Sequence, residues 1–355
     1  MFALLSYMFS KKLIDWYSDF GRNLPWRNTD NPYYIWLSEI ILQQTRIEQG
    51  LSYYQRFVEE YPTVRHLAEA SEEQVLKTWQ GLGYYSRARN LHAAAQYICN
   101  SLNGMFPDTY EGILSLKGVG RYTAAAIASF AFRLPYPVID GNVYRFISRI
   151  KGIFTPIATN SAYNEFETIL LKEIDSERPD LFNQAMMDFG SIFCTPQHPH
   201  CMECPFANQC YALKYDKVSS LPVKAASVKV KERWFYYYHL ENADGLLVHQ
   251  RQGKDIWKGL YEFPLMESEL QLSQEELSER ADSFFDTLGI SADNPMVICE
   301  MTHKLTHRTI HATFLRANLV NTEGLDAEKA TLMPYSDVKK LPVSRLIDKY
   351  LKKYC

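Results

Sequence analysis

The stretch LKGVGRYTAAAIASF, residues Leu116–Phe130, places two glycines one residue apart in front of an alanine-rich run. Because the preceding segment Tyr110–Leu116 also has a helical pattern, the sequence predicts a helix, a glycine turn and a second helix. The stretch does not continue as G-x-G-x-x-G or end in Gly-Lys-Ser/Thr, as nucleotide-binding loops do. Exposed backbone N–H groups at the start of a helix bind anions, whereas a plain helix–helix turn would use Gly118 and Gly120 only for positive φ angles. The stretch alone leaves both interpretations open.

Composition divides the rest of the chain into a helical part and a part rich in strands. A length of 355 residues predicts two or three domains, and a hydrophobic content of 46% is sufficient for their cores. From Lys11 to about Leu213, apolar residues recur at three- and four-residue spacing. After Arg233, the segments WFYYYHL, GLLVHQR and ATFLRANLV predict strands, with one helix near residues 273–288. We expect an all-α domain over residues 1–217, a basic linker over 218–232 and an α+β domain over 233–355.

Charge neither identifies the helical part as a nucleic-acid-binding domain nor excludes that function. Residues 1–225 hold 21 Lys and Arg against 22 Asp and Glu, so the distribution of charge matters more than its sum. The opening MFALLSYMFSKK has its positive charges after a short apolar run, the reverse of a secretory leader, and the run is too short to span a bilayer. We therefore expect a cytoplasmic protein without a membrane segment, beginning at Met1 or Met8.

Four of the seven cysteines fall within CTPQHPHCMECPFANQC, with the spacing C-x6-C-x2-C-x5-C. These four are Cys194, Cys201, Cys204 and Cys210. Disulfides are uncommon inside the cell, so metal ligation is the natural interpretation. Zinc and a 4Fe–4S cluster both accept four thiolates, but zinc ribbons usually pair two distant C-x2-C knuckles. A single compact loop favours the cluster over zinc. The isolated Cys99, Cys299 and Cys355 are interpreted as ordinary thiols.

Taken together, LKGVGRYTA, VIDGNVYR and the cysteine loop resemble the endonuclease III superfamily of helix-hairpin-helix DNA glycosylases. The motifs LPWR (24–27), SEIILQQTRIEQ (38–49) and GLGYYSRARNLH (81–92) are similar to those of the adenine DNA glycosylase, or MutY, family. The resemblance implies a bacterial, nucleoid-associated monomer with a 4Fe–4S cluster. It would hydrolyse the N-glycosidic bond of adenine paired with 8-oxoguanine or guanine in double-stranded DNA. In that family the hairpin of Gly118 and Gly120 grips the DNA backbone through main-chain amides.

Cleavage of a glycosidic bond requires an acid for the leaving group and an anion near the cationic sugar. Glu39 stands among apolar residues in YIWLSEIILQQT, which predicts a raised pKa, although a half-exposed glutamate on an amphipathic helix is the alternative. Asp140 in PVIDGNVYR is suited to cap a helix. The resemblance makes Glu39 the general acid and Asp140 the stabiliser of the oxocarbenium ion, supported by Asn142. Tyr122 stands where lyase relatives carry a Schiff-base lysine, which implies a monofunctional enzyme, unless it is a packing tyrosine.

The resemblance also implies a set of residues that contact the DNA and the extruded base. Trp26 and Arg27 would line the adenine pocket, and Gln184 in FNQAMMDFG stands where some members carry glutamate. Gln44 and Tyr84 would fill the gap that the extruded base leaves, the alternative for Tyr84 being a core aromatic. Arg87, in the same motif as Tyr84, is expected to contact DNA.

Residues from about 232 onward resemble the C-terminal domain of the same family, which is related to Nudix hydrolases. Aligning the Nudix signature on Gly289-Ile290 puts Asp282, Ser283, Asp286 and Thr287 where Arg and three Glu should stand, so the magnesium-binding carboxylates are largely missing. The domain is expected to bind rather than hydrolyse. HKLTHRTIH would need to be helical to align its histidines on a metal, whereas its threonines favour a loop running into a strand. The resemblance implies that Leu305, Thr306 and His307 recognise 8-oxoguanine.

Three other functions compete with the adenine glycosylase. A bifunctional glycosylase/lyase of the endonuclease III type lacks its lysine, because Tyr122 occupies that position. A non-catalytic scaffold that only binds lesions would not need both Glu39 and Asp140. A Nudix-type nucleotide hydrolase lacks its acidic cluster. The residues therefore favour a base-excision enzyme.

Overall fold

The computed structural model describes residues 2–225 and 230–355. Residues 226–229, within the expected linker, lie outside the described residues. By packing, the chain forms two compact units. The helical unit contains Met1–Glu69 and Ala93–Ala226, and the sheet unit contains Ala70–His92 and Ser227–Cys355. Over the part of the chain that the structure describes, none of the helices has both the length and the apolar character needed to cross a membrane.

The chain up to residue 225 is helical, as the spacing of its apolar residues predicts. Its α-helices follow in chain order: α1 (Phe2–Phe20), α2 (Pro32–Leu42), α3 (Ile47–Glu60), α4 (Val64–Glu69), α5 (Glu72–Thr78), α6 (Ser86–Ser101), α7 (Tyr110–Leu114), α8 (Arg121–Phe132), α9 (Gly141–Lys151), α10 (Asn160–Leu170), α11 (Pro179–Asp188) and α12 (Tyr211–Lys214). Beyond α12, the backbone N–H of Ile157 donates to Val223 O at 2.9 Å, so the start of the expected linker packs on the helical unit.

An aromatic core holds the cysteine loop against the helical unit. Phe206, between the last two cysteines, is fully buried. Its ring centroid lies 5.1 Å from that of Phe9, 5.5 Å from Phe146 and 5.3 Å from Phe189. Burial of a phenylalanine side chain contributes about 1.5–3 kcal/mol. The loop is therefore anchored to α1 and α9 by aromatic packing.

Residues 230–355 of the sheet unit form a mixed sheet with three helices, which confirms the predicted α+β character. Its strands are β1 (Lys231–Asn242), β2 (Gly245–Gln250), β3 (Tyr261–Glu262), β4 (Leu265–Ser268), β5 (Ser291–Ala292), β6 (Met296–Lys304), β7 (Arg308–Asn321) and β8 (Thr331–Met333), and its helices from the same region are α13 (Gln274–Leu288), α14 (Tyr335–Val338) and α15 (Arg345–Tyr354). The order is β3-β2-β1-β7-β5, with β4 on β1, β6 on β7 and β8 on β2. β1 and β7 are parallel and the other pairs are antiparallel.

The central strand β1 is buried on both faces. Alternate residues of a strand point to opposite faces. Tyr236 and Tyr238 pack in one cluster with α13. On the other face, Tyr237 stacks on Phe314 at 5.2 Å between ring centroids, and Phe314 stacks on Tyr350 of α15 at 4.1 Å. Helices α13 and α15 therefore cover opposite faces of the sheet, which explains why WFYYYHL lacks an apolar–polar alternation.

Segment 70–92 belongs to the sheet unit by packing, although it lies within the helical part of the sequence. Lys77 Nζ on α5 donates to the carbonyl oxygens of Lys339 at 2.8 Å and Leu341 at 2.9 Å. The Tyr85 hydroxyl group donates to Val343 O at 3.1 Å. Composition does not reveal this grouping, because the segment has the same helical pattern as its neighbours.

Candidate active site

A cavity of about 840 Å³ opens in the helical unit at the ends of α2, α8 and α9. Eight of the predicted site residues line it: Trp26, Arg27, Glu39, Gln44, Gly120, Tyr122, Asp140 and Asn142. The volume lies in the range of pockets that hold small ligands. These residues come from distant parts of the sequence, so the cavity is formed by helix packing.

Glu39 is a buried carboxylic acid in the wall of the cavity. Its side chain lies on α2, and the residue is only 7% exposed. Burial raises the pKa of Glu39 to about 7. The charge of Asp140 raises this pKa further. The hydrogen bond from Tyr122 and the positive charge of Arg27 act in the opposite direction and lower it. Near neutral pH this carboxyl group therefore holds a proton far more readily than an exposed glutamate and is suited to both donate and accept one.

The turn before α8 positions Tyr122 beside Glu39. Gly118 has φ of +81°, a conformation that glycine adopts without strain, and it reverses the chain between α7 and α8. Gly120 is the N-cap of α8 and has no side chain to accept the first N–H groups of the helix. A Cβ at Gly120 would meet nothing within 4 Å. The start of α8 therefore has no side-chain cap and faces open space at Gly120, while Gly118 does not line the cavity.

Asp140 is the N-cap of α9, as predicted, and its carboxylate accepts three hydrogen bonds. Oδ1 accepts from the backbone N–H groups of Asn142 at 2.9 Å and Val143 at 2.7 Å. Oδ2 accepts from Asn142 Nδ2 at 2.7 Å. Burial raises the pKa of Asp140, and these donors together with the charge of Arg145 act in the opposite direction. Hydrogen bonds to the ionised form favour a carboxylate.

Two arginines of α9 bind the cysteine loop, and one of them also binds a residue of the cavity. Arg145 Nη2 donates to Asn142 Oδ1 at 2.8 Å, and its Nε donates to Cys194 O at 2.8 Å. Arg149, only 3% exposed, donates through Nη1 to Cys194 Sγ at 3.4 Å and to Thr195 O at 2.8 Å. The segment VYRFISRIK could have indicated that both arginines have partners inside the protein, because an arginine within an apolar helical run requires a buried partner.

A buried ion pair that the sequence did not reveal holds Arg27. Asp188, fully buried at the end of α11, accepts from Arg27 Nη1 at 2.7 Å and Nη2 at 2.8 Å. Arg22 adds hydrogen bonds from its backbone N–H at 2.8 Å and from Nε at 2.9 Å. Burial acts to raise the pKa of Asp188, but the hydrogen bonds and charges of the two arginines outweigh it, and the pKa lies below its ordinary value.

Gln184 does not line the cavity. The residue is buried on α11, and its Oε1 accepts a hydrogen bond from the Tyr17 hydroxyl group at 2.8 Å. The same hydroxyl group accepts from Arg27 Nη1 at 3.3 Å. Gln184 therefore supports Arg27 through Tyr17, from behind the wall of the cavity.

The four clustered cysteines line one small pocket, together with Arg149. Among the described residues, no group of three or more His, Cys, Asp or Glu side chains is arranged to hold a metal ion. A single zinc ion binds its sulfurs at about 2.3 Å and therefore draws four thiolates close together, whereas a cluster of four irons spreads them over a larger surface. Four thiols around one pocket, one of them receiving a hydrogen bond from an arginine, fit a group that takes four thiolate ligands.

In the sheet unit, two predicted DNA-contacting segments meet. Leu305–His307 form the turn between β6 and β7, and the Thr306 hydroxyl group is hydrogen-bonded to that of Tyr84. Tyr84 is 46% exposed, so it is not a core aromatic. The Arg87 guanidinium lies over the Tyr84 ring, 5.6 Å from its centroid.

The stretch HKLTHRTIH forms a hairpin, so the predicted loop running into a strand is wrong at its beginning. His303 and Lys304 are the last residues of β6, and β7 begins at Arg308. His303 is paired with Ile310, and His311 is paired with Thr302. Because paired residues share a face and neighbours alternate, His303 and His311 point to opposite faces and do not converge on a metal.

Comparisons with known proteins agree with this architecture. The family model of the HhH-GPD superfamily of base excision DNA repair proteins matches residues 37–172, and the NUDIX domain model matches residues 236–353. The adenine DNA glycosylase of Buchnera aphidicola subsp. Baizongia pistaciae is 32% identical over 310 residues, which is 86% of this chain and 84% of that protein. The adenine DNA glycosylase of Rattus norvegicus is 40% identical over 226 residues, or 60% of this chain and 44% of that protein.

Solved structures share the fold of the helical unit. A thermostable thymine-DNA glycosylase has a TM-score of 0.55 and 27% identity, covering 59% of this chain and 96% of that chain. A non-covalent endonuclease III–DNA complex has a TM-score of 0.51 and 24% identity, with the same coverage, and shows the common fold. With both domain families in the predicted order and one relative matched along most of both chains, this chain belongs to the adenine DNA glycosylase family and is a base-excision DNA glycosylase.

Proposed function

We propose that this enzyme removes adenine paired with 8-oxoguanine or guanine in duplex DNA, by hydrolysing the N-glycosidic bond without cutting the strand. The observation that carries the proposal is a pair of carboxyl groups, Glu39 and Asp140, that line the same cavity in different environments. Glu39 is buried with a pKa of about 7, whereas Asp140 accepts three N–H donors. One acid and one anion are the two groups that glycoside cleavage requires.

In the first step, Glu39 is the general acid. Its proton passes to a ring nitrogen of the extruded adenine while the bond between the sugar and the base breaks, so the electron pair leaves with a neutral base. The sugar becomes an oxocarbenium ion. Glu39 is left as a carboxylate that accepts a hydrogen bond from Tyr122. That carboxylate then takes a proton from a water molecule while the water oxygen bonds to the anomeric carbon. This transfer regenerates the carboxylic acid of Glu39.

Asp140 stabilises the cationic sugar between these two steps. Its three hydrogen bonds favour the ionised form of the carboxyl group and fix its orientation, so little reorganisation is required when positive charge develops. Asn142 links Asp140 to Arg145, because its Nδ2 donates to the Asp140 carboxylate and its Oδ1 accepts from Arg145 Nη2. Arg145 is therefore a positioning residue that connects the carboxylate to the backbone of the cysteine loop.

The cavity supports base removal without strand cleavage. A lyase reaction requires an amine that forms a Schiff base with the sugar. Tyr122 carries a phenol at the predicted position, and among the described residues that line the cavity none is a lysine. Hydrolysis by water is the chemistry that these residues favour.

The walls of the cavity suit an adenine base that has left the stack. Trp26 supplies an apolar surface, and Arg27 supplies a guanidinium held in one orientation by Asp188. Gln44 follows α2 with φ of +57°, at the rim where a wedge would fill the gap in the duplex. The free N–H groups at Gly120 would bind a backbone phosphate.

Recognition of 8-oxoguanine is assigned to the turn Leu305–His307 together with Tyr84 and Arg87. The hydrogen bond between Tyr84 and Thr306 joins the two segments. An exposed tyrosine ring beside polar groups of the turn can stack on a base while the turn reads its edge. We further propose that the enzyme acts as a monomer, with residues 1–217 as the catalytic domain and 233–355 as the recognition domain.

We assign a 4Fe–4S cluster to Cys194, Cys201, Cys204 and Cys210. When bound, such a cluster would crosslink the loop through four thiolates and supply a redox-active centre. No step of the base removal uses it. Arg149 would donate to one of the ligating sulfurs and to the backbone of the same loop.

The test uses a duplex with one 8-oxoguanine opposite adenine, labelled on the adenine strand. After incubation with the enzyme, half of the sample is heated in alkali. Strand cleavage only after alkali supports the proposal, whereas cleavage without alkali would assign a lyase. A Glu39→Gln enzyme should bind this duplex but release no base. No cleavage by the wild type despite binding would favour a scaffold, and a Tyr84→Phe enzyme with unchanged preference for 8-oxoguanine would contradict the proposed bridge to Thr306.

A further inference from the structure

The last helix of the sheet unit is strongly amphipathic. Its apolar side chains, including Leu346, Ile347 and Tyr350, are buried. The basic side chains Arg345, Lys349, Lys352 and Lys353 are exposed. Their spacing of three and four residues places them along one side of α15. Residues 339–353 hold six Lys and Arg against a single acidic residue, although the whole chain has a net charge of −3.

This basic side begins close to the turn at residues 305–307. Tyr354, at the end of α15, is hydrogen-bonded to Cys299 of β6. Val343, two residues before α15, accepts a hydrogen bond from the Tyr85 hydroxyl group at 3.1 Å, and the neighbouring Tyr84 is hydrogen-bonded to Thr306 in the turn that follows β6. Helix α15 therefore runs antiparallel to β6, with its first turns beside the end of the strand.

The positive charges at this place are not neutralised within the protein. In the described part of the chain, Arg345 and Lys349 make no ion pair, and we call these two side chains the basic band. Nearby arginines behave differently: Arg233 and Arg308 both bind Asp255, at 2.6 and 2.5 Å. The unit therefore uses some of its arginines to stabilise the fold and leaves the basic band free for an external anion.

The apolar side of α15 identifies the kind of partner. An amphipathic basic helix that binds a membrane surface must insert a free apolar face into the lipid. Here that face is part of the core, where Tyr350 stacks on Phe314 at 4.1 Å. Only charged groups remain for contact, which suits a polyanion with regularly spaced charges such as duplex DNA.

We propose that the basic band binds the phosphate backbone of the duplex beside the turn that reads the lesion. The inference rests on the proposed function for the identity of the polyanion. Contacts of this kind add affinity and fix the position of the protein on the duplex, but they carry no sequence or lesion information. The band would hold the turn Leu305–His307 against the duplex whether the base that faces the turn is damaged or undamaged.

The test compares a double variant, Arg345→Gln with Lys349→Gln, with a matched control. The control, Arg280→Gln with Lys329→Gln, also removes two positive charges from the sheet unit. Arg280 lies on α13, and Lys329 Nζ donates to Thr287 O of the same helix at 2.8 Å. Because α13 covers the opposite face of the sheet, the control keeps the net charge equal to that of the test variant and leaves the band intact.

Affinity for a duplex with 8-oxoguanine opposite adenine, and for an undamaged duplex, is measured over a range of salt concentrations. We expect the double variant to bind both duplexes roughly ten- to thirty-fold more weakly near physiological salt, with a log–log salt slope smaller by about 1.8. The control should retain the wild-type slope. Circular dichroism and the thermal midpoint establish whether each variant is folded. If the double variant does not fold, the single variant Lys349→Gln takes its place, and we expect half of the change in salt slope.

Two results would overturn the proposal while leaving the proposed function intact. One is a wild-type salt slope in the folded double variant, and the other is a loss confined to the lesion duplex, which would make the band a lesion reader. A wild-type enzyme that binds neither duplex would instead overturn the proposed function, and the band with it.

Discussion

Tyr122 donates a hydrogen bond to the carboxyl group of Glu39 inside the cavity of the helical unit. The two residues lie on different helices, and their contact opposes the effect of burial on the pKa of Glu39. Without that donor the acid would hold its proton more tightly. The pair therefore sets the pH at which Glu39 exchanges a proton, and three of the predictions below depend on the charge of this carboxyl group or its neighbour.

The rate of base removal should fall as the pH rises through about 7, because the proposed mechanism uses the protonated form of Glu39, whose pKa is about 7. In Tyr122→Phe the hydrogen bond that favours the carboxylate is lost, so the alkaline limb should move to higher pH. Single-turnover rates on a duplex with 8-oxoguanine opposite adenine, measured from pH 5 to pH 9, would test this. An unchanged limb in the variant would mean that the hydrogen bond does not set this pKa.

Glu39→Gln should stabilise the fold at alkaline pH. The folded-state pKa of about 7 lies above the ordinary value of 4.5. The wild type is therefore most stable relative to the variant below about pH 4.5, and it loses about 3 kcal/mol of unfolding free energy as the pH rises through 7. Urea denaturation at pH 5 and pH 8 would measure this, since the advantage of the variant should grow with pH. A difference that is the same at both pH values would contradict the raised pKa.

Asp140→Asn should separate the capping function of Asp140 from its charge. Asparagine caps helices about as well as aspartate, so the unfolding free energy should change by less than about 1 kcal/mol. The anion near the sugar is lost, and base removal should slow by about a hundred-fold or more. The matched variant Asp140→Ala should lose about 1 kcal/mol of stability as well. A normal rate in Asp140→Asn would remove Asp140 from the chemistry.

Asp188→Asn should destabilise the helical unit by about 3–5 kcal/mol, because it leaves the buried Arg27 without a counter-charge. Since Arg27 lines the cavity, KM should rise in the same variant. A double-mutant cycle with Arg27→Gln gives the coupling between the two side chains, and we expect at least about 1 kcal/mol. Additive effects of the two substitutions would show that the ion pair does not position Arg27.

Arg149→Lys should weaken retention of the proposed 4Fe–4S cluster. A lysine cannot donate at once to Cys194 Sγ and to the carbonyl oxygens of the loop, as this guanidinium does. Purified protein should contain less iron and sulfide and show weaker visible absorbance than the wild type. Arg178→Lys, at a half-exposed surface position, is the control. Equal iron content in the two variants would mean that Arg149 does not hold the loop.

The sequence by itself determined the local structure and the chemical character of the site. Helical spacing, the glycine turn and the cap at Asp140 act over a few residues, so they could be read directly. The same holds for the apolar surroundings of Glu39. The pattern failed at HKLTHRTIH, because β6 ends within it and a threonine-rich stretch suits a strand as well as a loop.

Only the tertiary structure decided which of these groups meet. The sequence does not indicate that Asp188 binds Arg27, that Arg145 joins Asn142 to the cysteine loop, or that segment 70–92 packs with the sheet unit. Periodicity and capping are local, whereas a buried charge finds its partner only when the helices that carry both have packed together. Burial also decides the strength of such contacts, because it removes the water that would otherwise solvate each charge.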